Sequence, residues 1–204
     1  MDGGALSCTR AESIGGRQPA ARAMVQGVVS VTRRTSGERL QFRPIDMQRD
    51  GALSVAFRRD SYVCSFGSDA LFVEENGADG RGYLEWLQDR VIHFPDGHVH
   101  AWRGPDIVGQ IEMVIGPTSG YINLFYLRPD ARGQGWGEQL HEYAVALLRR
   151  HGVRVAGLSV SPTNERALRY YERHGWRDLG ARAGAAHVHE MQLVVPPDTA
   201  RTPA

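Results

Sequence analysis

The run Leu124-Phe125-Tyr126-Leu127-Arg128-Pro129-Asp130-Ala131-Arg132-Gly133-Gln134-Gly135-Trp136-Gly137 constrains this chain more than any other segment. It reads as an apolar strand, a sharp exit at Pro129, a glycine-rich turn, and a helix that opens near Gly135. Glycines at a helix start let the backbone come close to a ligand. The unpaired amide N–H groups of the first helical turn point the same way. With the positive end of the helix dipole, and Arg132 beside it, the pattern suits a diphosphate.

Two common diphosphate sites are excluded by what the turn lacks. A Walker-type loop needs a lysine after its last glycine, and the sequence contains no lysine at all. A dinucleotide fingerprint needs a third glycine three residues after the second, inside a parallel βαβ unit. That position is Glu138, and the residues before the turn read as antiparallel hairpins. What remains is R-x-x-G-x-G after a strand that ends Phe125-Tyr126-Leu127-Arg128-Pro129.

A second pattern lies downstream. Asn164-Glu165-Arg166-Ala167-Leu168-Arg169-Tyr170-Tyr171-Glu172-Arg173-His174-Gly175-Trp176 reads as a capped amphipathic helix with a glycine stop. The preceding Ser161-Pro162-Thr163-Asn164 supplies the cap. Ala167, Leu168 and Tyr171 share a face, Gly175 ends the helix, and Trp176 opens a strand.

In that order and at that separation, the two segments resemble the acetyl-CoA signature and the N-x-x-A-x-x-x-Y-E-x-x-G-[FW] motif of the GNAT N-acetyltransferase family. The resemblance covers about residues 38–195, with the sharp motifs confined to 124–176. It implies an α/β (α+β) fold, with a mixed, mostly antiparallel sheet of about seven strands flanked by helices. It also implies acetyl-CoA as cosubstrate and no metal. In the family the strand of the first motif has a bulge and splays from its neighbour, and the pantetheine arm enters the gap.

Carried over by position, Phe125, Tyr126 and Leu127 would hydrogen-bond the pantetheine. Arg132, Gly133, Gln134, Gly135, Trp136 and Gly137 would cradle the pyrophosphate through main-chain N–H groups. Asn164 would touch the pantetheine or nearby backbone. Tyr171 matches the tyrosine that gives a proton to the leaving thiolate. A phenol of ordinary pKa about 10 is protonated at neutral pH and can do so. Tyr170 is a rival of the same type, pointing about 100° around the helix. Backbone N–H near Leu127 would bind the thioester oxygen as it becomes negative.

The amine must lose a proton before or during attack. Glu112 is the leading candidate base, with Tyr121, His98, His100 and Glu190 as further candidates on strands. A chain of waters serves as well. His98 and His100 share a strand face, as do His187 and His189, a pattern compatible with metal, but the family chemistry requires none.

Acceptor choice falls to the less diagnostic first half. Asp60 to Asp69 reads as a loop, with Tyr62 and Phe66 as acceptor-lining residues. Asp60, Asp69, Glu74 and Glu75 form an acidic group that could attract a cationic amine, though a solvated cluster explains them equally. The expected function is acetyl transfer from acetyl-CoA to a primary amine of a small molecule or peptide. A non-catalytic acetyl-CoA-binding regulatory module, or an acyltransferase using another acyl-CoA, are the alternatives.

The 204 residues suit one domain of ordinary size, with 42% hydrophobic residues for a core. The formal charge of +1 gives no reason to expect nucleic acid or an anionic membrane. Cys8 and Cys64 do not suggest a disulfide, and a reducing cytoplasm is expected. A homodimer stays open.

Residues 1–36 read as a flexible extension, 37–196 as the acetyltransferase domain, and 197–204 as a tail. Periodicity places strands at Leu40 to Pro44, His98 to Arg103, Ile107 to Ile115, Tyr121 to Leu127, Ala156 to Val160, Trp176 to Leu179 and His187 to Val195. It places helices at Asp46 to Arg59, Tyr83 to Val91 and Gln139 to His151.

Overall fold

The computed structural model describes residues 38–196, so the expectations for 1–36, including Cys8, and for 197–204 lie outside the described residues. The strands are β1 (Gln41–Pro44), β2 (His98–Arg103), β3 (Asp106–Ile115), β4 (Ser119–Leu127), β5 (Val155–Val160), β6 (Arg177–Arg182) and β7 (Ala185–Val194). The helices are α1 (Met47–Phe66), α2 (Ala70–Asn76), α3 (Arg81–His93), α4 (Trp136–Arg150) and α5 (Glu165–Arg173). The strands form one sheet in the order β1-β2-β3-β4-β5-β7-β6. Only β4 and β5 run parallel; every other pair is antiparallel.

Both faces of the sheet are covered. The apolar stripe of α4, with Leu140, Ala144, Leu147 and Leu148, packs with Ile111, Met113, Ala156 and Leu158 in the main core. On the opposite face, α1 to α3 close a second cluster of Val55, Phe72, Tyr83 and Leu87. Phe57 of α1 meets Leu124 and Tyr126 of β4 on that face. β4 is thus held between two layers, which fixes where its side chains and backbone point.

Two expectations are corrected. Asp60 to Phe66 is helix, not loop, because α1 runs on to Gly67, whose left-handed backbone (φ 80°) donates to Val63 O and ends it. The short α2 follows, a helix that periodicity did not assign. Ser61, Val63 and Ser65 are weak helix formers, but distant residues hold the last turns. Asp60 receives Arg132 and Tyr126, and Tyr62 packs on Phe72.

Candidate active site

The β4 strand contains one residue too many for its partner. Leu124 faces Glu112 and Ile122 faces Met113, so Asn123 bulges out of the β3–β4 ladder. A bulge bends the strand and increases its twist. Parallel pairing of β4 with β5 accordingly stops at Ile122–Leu158. β5 goes on pairing with β7 through Val160. Beyond the bulge the two strands separate, and the β4 edge from Asn123 to Leu127 borders a groove of about 2380 Å³. Phe125 and Leu127 turn to the α4–α5 side, and Leu124 and Tyr126 to α1. Leu158, Val160 and Ser161 line the opposite wall.

The glycine-rich turn sits at one mouth of this groove. Gly133 and Gly135 take φ of 78° and 90°, which a side chain would strain. Gly135 caps α4, so the N–H groups of its first turn are exposed to whatever occupies the groove. Gly133, Gln134, Gly135 and Gly137 line the groove, whereas the Trp136 side chain turns into the core and is 3% exposed. Arg132 differs from the expectation. Its N–H donates to Pro129 O, and its guanidinium donates to Leu127 O and Asp60 Oδ2, each at 2.7 Å. Tyr126 donates to the same Asp60 oxygen at 2.8 Å. Arg132 therefore anchors the turn to α1 and does not add an N–H to the cradle.

The helix α5 brings its two tyrosines to the groove in different states. Tyr170 donates to Gly137 O at 2.6 Å. A Cβ on residue 137 would stand 3.2 Å from the Tyr170 ring, a tight contact that the glycine avoids. Tyr171 is buried in the main core, 6.3 Å from the Phe125 ring, with its hydroxyl engaged by no hydrogen bond among the described residues. Burial lifts that hydroxyl well above its ordinary 10, which keeps it protonated. Asn164 caps α5 by accepting from Ala167 N at 3.2 Å, so its side-chain oxygen is committed to the helix while the residue still lines the groove.

At the other mouth stand the last turns of α1. Tyr62 and Phe66 line the groove in edge-to-face contact, 5.7 Å apart. Phe66 also meets His187 of β7 at 5.6 Å, bridging the opening. Tyr62 donates to Glu75 at 2.7 Å, and burial pushes its hydroxyl up to about 12. The acidic group expected to attract an amine is largely neutralised: Asp60 holds Arg132, and Asp69 holds Arg59 at 2.7 Å. Glu74 and Glu75 remain on the groove.

Glu112 is corrected as a base that meets substrate. It is 0% exposed, accepts from Tyr83 at 2.5 Å and Gln110 at 2.8 Å, and lies 3.5 Å from Arg58. Arg58 and Tyr83 separate it from the groove, which they line. The same Arg58 nitrogen donates to Asn123 O at the bulge, at 2.8 Å. His98 and His100 are likewise interior. His98 bonds Phe94 O, and His100 contacts Ser54 and Gln110. His189 contacts Asp178 at 2.8 Å. Among the described residues no group of three or more His, Cys, Asp or Glu could hold a metal ion. Tyr121 does reach the groove, donating to Ser159 at 2.7 Å.

Sequence reasoning missed Arg58, Tyr83, Ser159 and Arg182, all of which line the groove. No local pattern distinguishes Arg58 from other helix arginines; only the bulge at Asn123 gives it a role.

The seven-stranded mixed sheet, with a splayed parallel pair and a glycine turn beneath it, is the architecture expected of an N-acyltransferase that uses acyl-CoA. The chain matches the acetyltransferase (GNAT) family over residues 60–176, more than half its length, and belongs to that family. Over 96 residues it is 34% identical to the mycothiol acetyltransferase of Geodermatophilus obscurus. That match covers 46% of this chain and 28% of the relative. Its fold is similar to the PaiA N-acetyltransferase of Thermoplasma acidophilum, solved in complex with coenzyme A. The TM-score is 0.62 at 16% identity, covering 76% of this chain and 98% of the other. The spermidine N-acetyltransferase of Vibrio cholerae, solved with CoA and spermine, gives 0.60 at 17% identity, covering 77% and 96%. No helix among the described residues is long and apolar enough to cross a membrane.

Proposed function

We propose that this acetyltransferase moves the acetyl group of acetyl-CoA to a primary amine of a small molecule or peptide by direct attack on the thioester. The observation that carries it is the separation of β4 from β5 immediately above the Gly133–Gly137 turn, with the Tyr171 hydroxyl on the same groove. The pyrophosphate sits on the N–H groups of Gly133 to Gly137, where backbone donors and the helix dipole favour negative charge. The pantetheine arm runs along the open edge of Phe125, Tyr126 and Leu127, with Asn164 opposite, and pairs with backbone that β5 leaves unpaired. The acceptor enters from the α1 side, past Tyr62 and Phe66.

In the reaction the neutral amine nitrogen bonds to the thioester carbon. The carbonyl oxygen takes the negative charge and is held by N–H groups of the β4 edge. Collapse breaks the carbon–sulfur bond, and Tyr171 gives its proton to the departing thiolate. The amine proton leaves through water, which Arg58, Tyr83 and the Asn123 carbonyl can order. Glu112 is a positioning residue for Arg58 and Tyr83. Thiol release from acetyl-CoA across a panel of amines tests the reading, with acetyl-CoA affinity measured by calorimetry. Tight acetyl-CoA binding with no thiol release for any amine would favour the regulatory module. Faster release from a longer acyl-CoA would favour the other acyl donor.

A further inference from the structure

We infer that the acceptor amine carries an anionic group, a carboxylate or phosphate, which Arg182 binds; this rests on the acetyl-transfer reading above. Arg182 ends β6 at an irregularity in its pairing with β7, which turns it onto the groove. Its guanidinium donates to Ser159 Oγ at 3.3 Å and to the Tyr121 hydroxyl at 3.4 Å. It also lies over the Tyr121 ring, 5.8 Å from the centroid. These partners are neutral. They orient the fork without an ion pair, and Glu190, opposite Ser159 on β7, stands outside ion-pairing distance. Arg59, Arg81 and Arg128, by contrast, each meet a carboxylate within 3 Å.

A second cation repeats the pattern. Arg90 lines the same groove, 5.7 Å from the Trp86 ring, with its Nε buried and without a partner among the described residues. Neither Arg182 nor Arg90 is within ion-pairing distance of a carboxylate among the described residues. A guanidinium held by neutral groups in a partly buried groove is complementary to a planar or tetrahedral oxyanion.

Position links this anion site to the chemistry. Tyr121, which Arg182 contacts, lies two residues before the Asn123 bulge and lines the same groove as Tyr171. An anion on Arg182 therefore shares the groove with the attacking nitrogen. Glu74 and Glu75 edge the same groove from α2 and can draw the protonated amine toward it before it reaches the bulge and is deprotonated. The combination favours a dipolar amine, of amino-acid type, over a polyamine.

Three matched acceptors test this: an amino acid, its decarboxylated amine, and its aminophosphonate. Spermidine serves as the polyamine control. Thiol release gives kcat and KM, and quenching of tryptophan fluorescence gives acceptor affinity with CoA bound. The expected result is a preference of roughly tenfold to a hundredfold for the acid over the decarboxylated amine. The relative rates of carboxylate and phosphonate then identify the anion. Arg182→Gln should raise the KM of the acid to that of the amine, with kcat and the acetyl-CoA KM little changed. Arg182→Lys, which keeps charge but not the fork, should recover part of the difference. Equal or better use of spermidine or the decarboxylated amine, or an equal loss for both in Arg182→Gln, overturns the inference. Discrimination seen by fluorescence without thiol release would instead count against acetyl transfer itself.

Discussion

At the scale of single residues, two neighbouring phenols set the proposed proton donor beside a structural brace. Tyr170 donates to Gly137 O and braces the start of α4, while Tyr171 presents an uncommitted, protonated hydroxyl to the groove. Tyr171→Phe keeps the ring and removes only the donor. Its turnover should fall by about 10²–10⁴, the worth of a positioned acid, with acetyl-CoA affinity nearly unchanged. Tyr170→Phe should instead weaken acetyl-CoA binding by a few-fold, because the turn it braces loosens. Steady-state kinetics of both variants decide, and equal losses in kcat would count against Tyr171. Phe66 allows a parallel test on the acceptor side. It is 37% exposed and bridges to His187, so Phe66→Ala should raise the amine KM and spare that of acetyl-CoA. Tyr62 is a poorer probe, since it also anchors Glu75 and packs on Phe72. A rise confined to the acetyl-CoA KM would move Phe66 to the cofactor side.

At the scale of elements, the turn and α4 act as one unit. Gly135 needs φ of 90°, and the groove lies over it. Gly135→Asp should therefore strain the cap and put a carboxylate where phosphate is expected. Calorimetry should show acetyl-CoA affinity reduced beyond detection, while the circular dichroism of the folded chain is retained. Unchanged affinity would mean the pyrophosphate sits elsewhere. This unit was legible in the sequence because its signals are local: Pro129, two glycines, then an amphipathic stripe. So was α5, from the Asn164 cap to Gly175. The last two turns of α1 were not, because Asp60 to Phe66 is stabilised by Arg132 and Phe72, partners that sequence spacing does not reveal. Glu112 was misjudged for a related reason. Alternation places it on a face of β3, but only packing of α1 and α3 shows that Arg58 and Tyr83 enclose it.

At the scale of the whole molecule, buried and half-buried histidines on the two faces of the sheet couple stability to pH. His98 and His100 lie between the sheet and the α1–α3 layer, and His141 lies on α4 beside His174, with ring centroids 4.6 Å apart. Burial lowers all three, and His141 falls to about 4, with the neighbouring His174 charge as the second cause. The unfolded chain takes up these protons near pH 6.5, where the native chain refuses them. Between 6.5 and about 4 the unfolded state therefore binds more protons, and stability falls as pH falls. Asp50 and Asp178 are held below their ordinary 3.8, so their contributions are lost only at lower pH and do not fill this window. His141 should account for roughly 1–3 kcal/mol of the loss. His141→Gln keeps an acceptor for the Trp176 indole, which now donates to the imidazole at 3.1 Å, and removes the titration. Melting curves of the folded chain from pH 7 to 4.5 should show a clear decline, with a shallower slope in His141→Gln. Parallel slopes would place the acid sensitivity in His98 and His100, on the opposite face, and a melting temperature that rises on acidification would contradict the burial of all three.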